Sequence, residues 1–142
     1  MKTKSTSNEM EDSAEIHEEI LDWAAVEFKE ILENSDQAIY IYVCDRHRLC
    51  NKNFSLLIGY DSPEEWAMED EMLSDVKESD QETLVKAYRA AMENKIGSCI
   101  NISWKNKNNG EFVSTQTILV PLSYRGELFA MHFIESFEKP KI

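Results

Sequence analysis

QAIYIYVCDRHRLCNKNFSLLIGYDSPEEW, residues 37–66, carries five structural signals in thirty residues. Ala38-Ile39-Tyr40-Ile41-Tyr42-Val43 is rich in β-branched and aromatic residues and reads as a strand. The polar corner Asp45-Arg46-His47 turns the chain into a second short strand at Arg48-Leu49-Cys50. Residues 51–58 read as a turn or two of helix, opened by Asn51 or Asn53 and stopped at Gly59. After Tyr60, Ser62-Pro63-Glu64-Glu65 opens another helix. Ser62 caps, Pro63 suits the first helical position, and Glu65 completes a capping box.

Upstream, residues 1–12 are polar and read as a disordered tail. From 13 to 34 the pattern is helical. Ile16, Ile20, Leu21, Trp23, Ala24, Ala25, Phe28, Ile31 and Leu32 fall within an arc of about 200°, interrupted by Glu27 and His17. So wide a stripe predicts two contact surfaces, the protein's own sheet and a partner helix. His17, at the edge of the stripe, reads as a surface or interface residue rather than a ligand.

Downstream, Met68 to Val76 is acidic and weakly helical, and Ser79-Asp80-Gln81-Glu82 is a second capping-box sequence. The helix it opens carries Leu84, Val85, Tyr88, Ala91 and Met92 at spacings of three and four, with Gly97 just beyond its end. From Ser98 the period becomes two, placing Ile100, Ile102 and Trp104 on one face. Asn109-Gly110 is a hairpin signal leading into a strand over 112–122. Ser123-Tyr124-Arg125-Gly126 turns into a last strand over 128–134. That strand sets Phe129, Met131 and Phe133 on one face and Leu128, Ala130, His132 and Ile134 on the other. First and last strands are apolar on both faces, which predicts a sheet covered on both sides. The expected architecture is α+β: a five-stranded antiparallel sheet, short helices on one face, an N-terminal amphipathic helix on the other.

The ordered series resembles a PAS domain over about residues 28–137. In that family an aspartate ends the first strand, here Asp45, and an asparagine opens a helix finishing in Gly-Tyr, here Gly59-Tyr60. Val76 and Asp80 match the signature before the family's long helix. Trp104 with Lys105 to Gly110, Val120-Pro121 and Gly126 resemble its later hairpins. The Asp-Ile-Thr close is replaced by Glu135-Ser136-Phe137. The resemblance implies an N-terminal tail at 1–12, a dimerisation helix at 13–34, a PAS-like domain at 35–137 and a tail at 138–142. It also implies a sensory, non-catalytic module that holds a small molecule between the inner sheet face and the middle helices. Homodimerisation through the first helix follows from the same resemblance, with Ile16, Ile20, Trp23, Ala24 and Phe28 at the interface. A ligand-free protein-interaction module is the alternative.

Composition sets limits. The 142 residues carry a net charge of −12, which repels nucleic-acid phosphates and anionic lipid. No apolar run is long enough to span a bilayer, and the N-terminus lacks a signal-peptide core, so a cytoplasmic location is expected. Three cysteines suggest reduced thiols. The reactive-cysteine run of light-sensing flavin members is missing, and residues 80–94 contain no histidine to ligate haem, so both cofactors are disfavoured. Cys44, His47 and Cys50 form C-x2-H-x2-C, three soft ligands that need a fourth and must converge; the alternative is two packed thiols beside an exposed His47. No phosphate loop, nucleophile triad or zinc-protease motif argues for catalysis. The candidate ligand-binding residues are Tyr42, Phe54, Trp66, Leu84, Tyr88, Ile102, Trp104, Thr117 and Met131, with Tyr88 and Thr117 singled out because a buried hydroxyl needs a partner.

Overall fold

The computed structural model describes residues 2–137, with side chains from Ala14 onward; the tail expected at 138–142 lies outside the described residues. Helix α1 (Lys2–Glu27) begins within the stretch expected as a polar tail. No glycine or proline precedes Ala14, so once the amphipathic part is formed each added residue gains a backbone bond. The expected single helix to Asn34 is interrupted at Phe28 (φ −103°, ψ 14°), after which α2 (Lys29–Asn34) continues.

Five strands follow with helices between the second and third: β1 (Ala38–Cys44), β2 (His47–Cys50), β3 (Ser98–Lys105), β4 (Phe112–Tyr124) and β5 (Glu127–Ser136). They form one antiparallel sheet in the order β2-β1-β5-β4-β3. Between β2 and β3 lie α3 (Lys52–Leu57), α4 (Pro63–Ala67), two 3-10 turns (Met72–Asp75 and Glu78–Asp80) and α5 (Gln81–Asn94).

Local chemistry accounts for most of these boundaries. Asn51 caps α3: its Oδ1 accepts from Phe54 N at 3.0 Å and also from Ile39 N at 3.0 Å, while Nδ2 donates to the Gln37 carbonyl. One side chain thus satisfies a helix end and pins it to β1. Asn53 instead donates to Ser35 O. Ser62 caps α4 as its sequence predicts, accepting from Glu65 N at 3.1 Å with Pro63 in the first turn.

The second capping box does not form. Ser79 lies inside a 3-10 turn, and the residue at the cap of α5 is Asp80, whose Oδ2 accepts from Ser103 N across to β3 at 2.8 Å. Nor does Gly97 end the helix, because Lys95 takes the left-handed conformation (φ 57°) two residues earlier.

Two cores sit on opposite sides of the sheet. The inner one, under α3 to α5, is built on Tyr40, Phe54, Ile58, Trp66, Leu84, Ile102, Trp104 and Leu119. The outer one packs Ile20 and Ala24 of α1 against Ile39, Ile41, Val43, Phe129 and Met131. Ile20 and Ala24 have no exposed surface, so α1 uses the centre of its apolar stripe on its own sheet. This corrects the expectation that these two residues face a partner. Ile16, Trp23 and Phe28 flank them, half-buried.

Candidate functional site

The inner face is fixed by strand register. Tyr40 pairs with His132 across β1 and β5 and with Cys50 across β2. Residues directly opposite on antiparallel strands share a face, so the rings of Tyr40 and His132 stack, centroids 3.8 Å apart and planes 12° from parallel. Around them Tyr40, Phe54, Trp66 and Trp104 interlock with centroid separations of 4.9–5.7 Å. These four rings fill the part of the inner core nearest α3 and α4.

What remains open is a cleft of about 240 Å³ between the β1–β2 end of the sheet and α5. It is lined by Tyr40, Tyr42, Asp45, Met72, Leu73, Leu84, Val85, Tyr88 and His132. Tyr42 and Tyr88 meet edge to face at 5.2 Å. Tyr42 Oη donates to Asp45 Oδ1 at 2.6 Å, so its hydroxyl is committed.

Two lining residues have orphaned polar atoms. Tyr40, with no exposed surface, and His132, 2 % exposed, leave Oη and Nδ1 without a hydrogen-bond partner. The backbone of Tyr40 and Ala130 lies beside the imidazole, but Nδ1 makes no hydrogen bond to either. Burial pushes the His132 pKa down to about 3, against a smaller upward pull from those neighbours. Burial likewise raises Tyr40 well above the ordinary phenol value. Both side chains are therefore neutral at pH 7, and each leaves a buried group unpaired at a cost of about 1–3 kcal/mol.

The sequence-predicted residues divide accordingly. Tyr42, Leu84 and Tyr88 line the cleft. Phe54, Trp66, Ile102 and Trp104 belong to the inner core, where the aromatic rings occupy the space expected for a ligand. Thr117 faces inward but is already partnered: Trp104 Nε1 donates to its Oγ1 at 3.5 Å, and Thr115 Oγ1, which donates to Ile102 O, stands 3.2 Å away. Met131 is misplaced in the expected set. It neighbours His132 on β5, so alternation sends it to the outer core beneath α1.

Sequence reasoning missed Tyr40 and His132 as a pair. The placement of His132 opposite Tyr40 depends on the β1–β5 register. Arg48 was missed as well. It is buried, lies over the Trp66 ring at 4.8 Å, and donates to the carbonyls of Asp45, Trp66 and Glu69. Its charge is spent on carbonyls rather than on the cleft, where no cation stands.

The C-x2-H-x2-C pattern does not converge. Period-two alternation sets Cys50 on the inner face with Tyr40, away from His47. Burial pushes its thiol up to about 12, which keeps it protonated.

No protein-family model matches the chain, and no curated protein matches it. Solved structures do. A PAS domain from Colwellia psychrerythraea superposes with a TM-score of 0.63 at 17 % identity, covering 78 % of this chain and 94 % of that one. A PAS domain of a two-component sensor histidine kinase gives 0.59 at 16 % identity, covering 80 % and 98 %. The PAS domain of an HTR-like protein from Haloarcula marismortui gives 0.58 at 16 %, covering 87 % and 99 %. The chain has the PAS fold. Among the described residues no helix is long and apolar enough to cross a membrane.

Proposed function

We propose that this chain is a non-catalytic sensory domain whose inner cleft holds a small, uncharged polar molecule. The observation that carries this reading is the pair of buried, unpartnered groups, Tyr40 Oη and His132 Nδ1, on residues that line one cleft. Buried polar groups are nearly always satisfied, and a bound molecule is a partner that would satisfy these. A volume of about 240 Å³ has room for roughly eight water-sized groups, below the roughly 300–1,000 Å³ of drug-sized sites. With neutral Tyr40 and His132 inside and the Asp45 carboxylate at the rim, the cleft offers nothing to hold an anion. Hydroxyl- or amide-bearing molecules with a flat apolar part suit it. A fold shared with a PAS domain of a sensor histidine kinase supports a signalling role.

Occupancy would be read out through α1 and a second copy of the chain. With Ile20 and Ala24 committed to the outer core, the dimer surface in this reading comprises the flanks of the stripe (Ile16, Trp23, Phe28), Val26 and the outer face of β4 around Ile118. A thermal-shift panel of small neutral polar metabolites tests the cleft. Binders are expected to raise the midpoint of the wild type and to lose most of that effect with Tyr40→Phe. A panel without binders would favour a ligand-free interaction module, the reading to which the tight aromatic packing of Tyr40, Phe54, Trp66 and Trp104 lends weight.

A further inference from the structure

The β1–β2 hairpin carries a second group of side chains, on either side of its turn. Cys44 and His47 flank the two-residue turn and pair directly, because the β1 register shifts between Tyr42 and Cys44. Such an irregularity re-aims a side chain. Here it brings Cys44 Sγ to 3.2 Å from His47 Nδ1. Facing them from α1 is His17, its ring 5.9 Å from that of His47 and edge-on to it. The sulfur and one ring nitrogen of each histidine all lie within 4.8 Å of one another, on three half-buried residues.

We propose that His17, Cys44 and His47 form a binding site for a thiophilic divalent metal ion, with zinc(II) as the natural occupant. The donor set is one thiolate and two imidazoles, which suits zinc and disfavours magnesium or calcium. In a tetrahedral site with Zn–S of about 2.3 Å and Zn–N of about 2.0–2.1 Å, the ligand atoms stand roughly 3.3–3.6 Å apart. The observed cluster reaches this by opening the Cys44–His47 contact slightly and drawing His17 in. On binding, Cys44 releases its thiol proton to solvent and both imidazoles are neutral at the coordinating nitrogen. Three protein ligands leave a fourth position for water. Cys44 and His47 sit on two paired strands, β1 and β2, so most of the adjustment falls on α1. Metal binding would therefore clamp the N-terminal helix to the hairpin. This site is independent of the small-molecule reading, and either can fail alone.

The test is titration of the reduced, metal-free full chain with cobalt(II), followed by displacement with zinc(II). The expected result is one equivalent bound with a thiolate-to-cobalt charge-transfer band, abolished by Cys44→Ser and unchanged by Cys99→Ser. His17→Ala and His47→Ala are each expected to weaken zinc binding at least about tenfold. Because a variant can lose its fold, the wild type supplies a second readout. Zinc is expected to slow alkylation of Cys44 and leave that of exposed Cys99 unchanged. A cobalt complex without the charge-transfer band, affinity untouched by His17→Ala in folded protein, or Cys44 alkylated at the same rate with and without zinc would each overturn the proposal.

Discussion

His132 illustrates how much a single buried titratable group can dictate. It is protonated in the unfolded chain below about pH 6.5 and in the folded chain only below about 3. Between those values the unfolded state binds more protons, so stability rises with pH through this window and is fully present above it. The contribution is on the order of a few kcal/mol. Asp75, whose carboxyl burial raises, acts in the opposite sense, but equally in wild type and variant. Urea unfolding of His132→Leu is therefore expected to be much flatter between pH 7 and 4 than that of the wild type; parallel curves would contradict the neutral, buried assignment. Tyr40→Phe is expected to leave stability unchanged or raise it by up to about 1 kcal/mol, since it removes an unpaired hydroxyl and no hydrogen bond. The residue types of the cleft were legible in the sequence: Tyr42, Leu84 and Tyr88 follow from strand and helix periodicity. The Tyr40–His132 pair was not, because it depends on which residues of two strands, some ninety positions apart, stand opposite each other.

Elements were legible where their signals are local and obscured where a distant partner takes over. Ser62 caps α4 as its sequence states, but Asp80 turns to Ser103 on β3 and leaves the second capping box unmade. Arg48 shows the same tension. Alternation along β2 puts it on the inner face, where an unsatisfied guanidinium would be very costly, and only the fold reveals the three carbonyls that receive it. Arg48→Lys keeps the charge but loses the planar fork and the stacking on Trp66. It is expected to destabilise by about 2–3 kcal/mol in denaturant unfolding. Gly59 has φ +78°, and a Cβ there would stand 2.5 Å from Asn106 Oδ1 in the β3–β4 turn. Asn106 cannot easily yield, because that oxygen accepts from Asn108 N and Asn109 N. Gly59→Ala is therefore expected to cost more than about 1 kcal/mol, whereas Gly110→Ala, with nothing within 4 Å, carries only the conformational term.

At the scale of the molecule, a sheet covered on both faces was readable from β1 and β5, which carry apolar residues on both faces, and α1 does provide the outer cover. The share of its stripe left for a partner was not readable, because a helical pattern does not distinguish an intrachain from an interchain contact. Trp23 packs against Tyr124, Phe129 and Phe28, so a charge placed there would damage the outer core. Val26 and Ile118 are exposed and test association more cleanly. In the dimeric reading, Val26→Asp with Ile118→Asp is expected to shift the mass found by light scattering from dimer to monomer with little change in unfolding midpoint. A small neutral molecule held in the Tyr40–His132 cleft would show in a native mass spectrum of freshly purified protein. The wild type is expected to carry a stoichiometric extra mass that is lost from the folded Tyr40→Phe/His132→Leu double variant. An identical spectrum for the two proteins, with or without added mass, would contradict it.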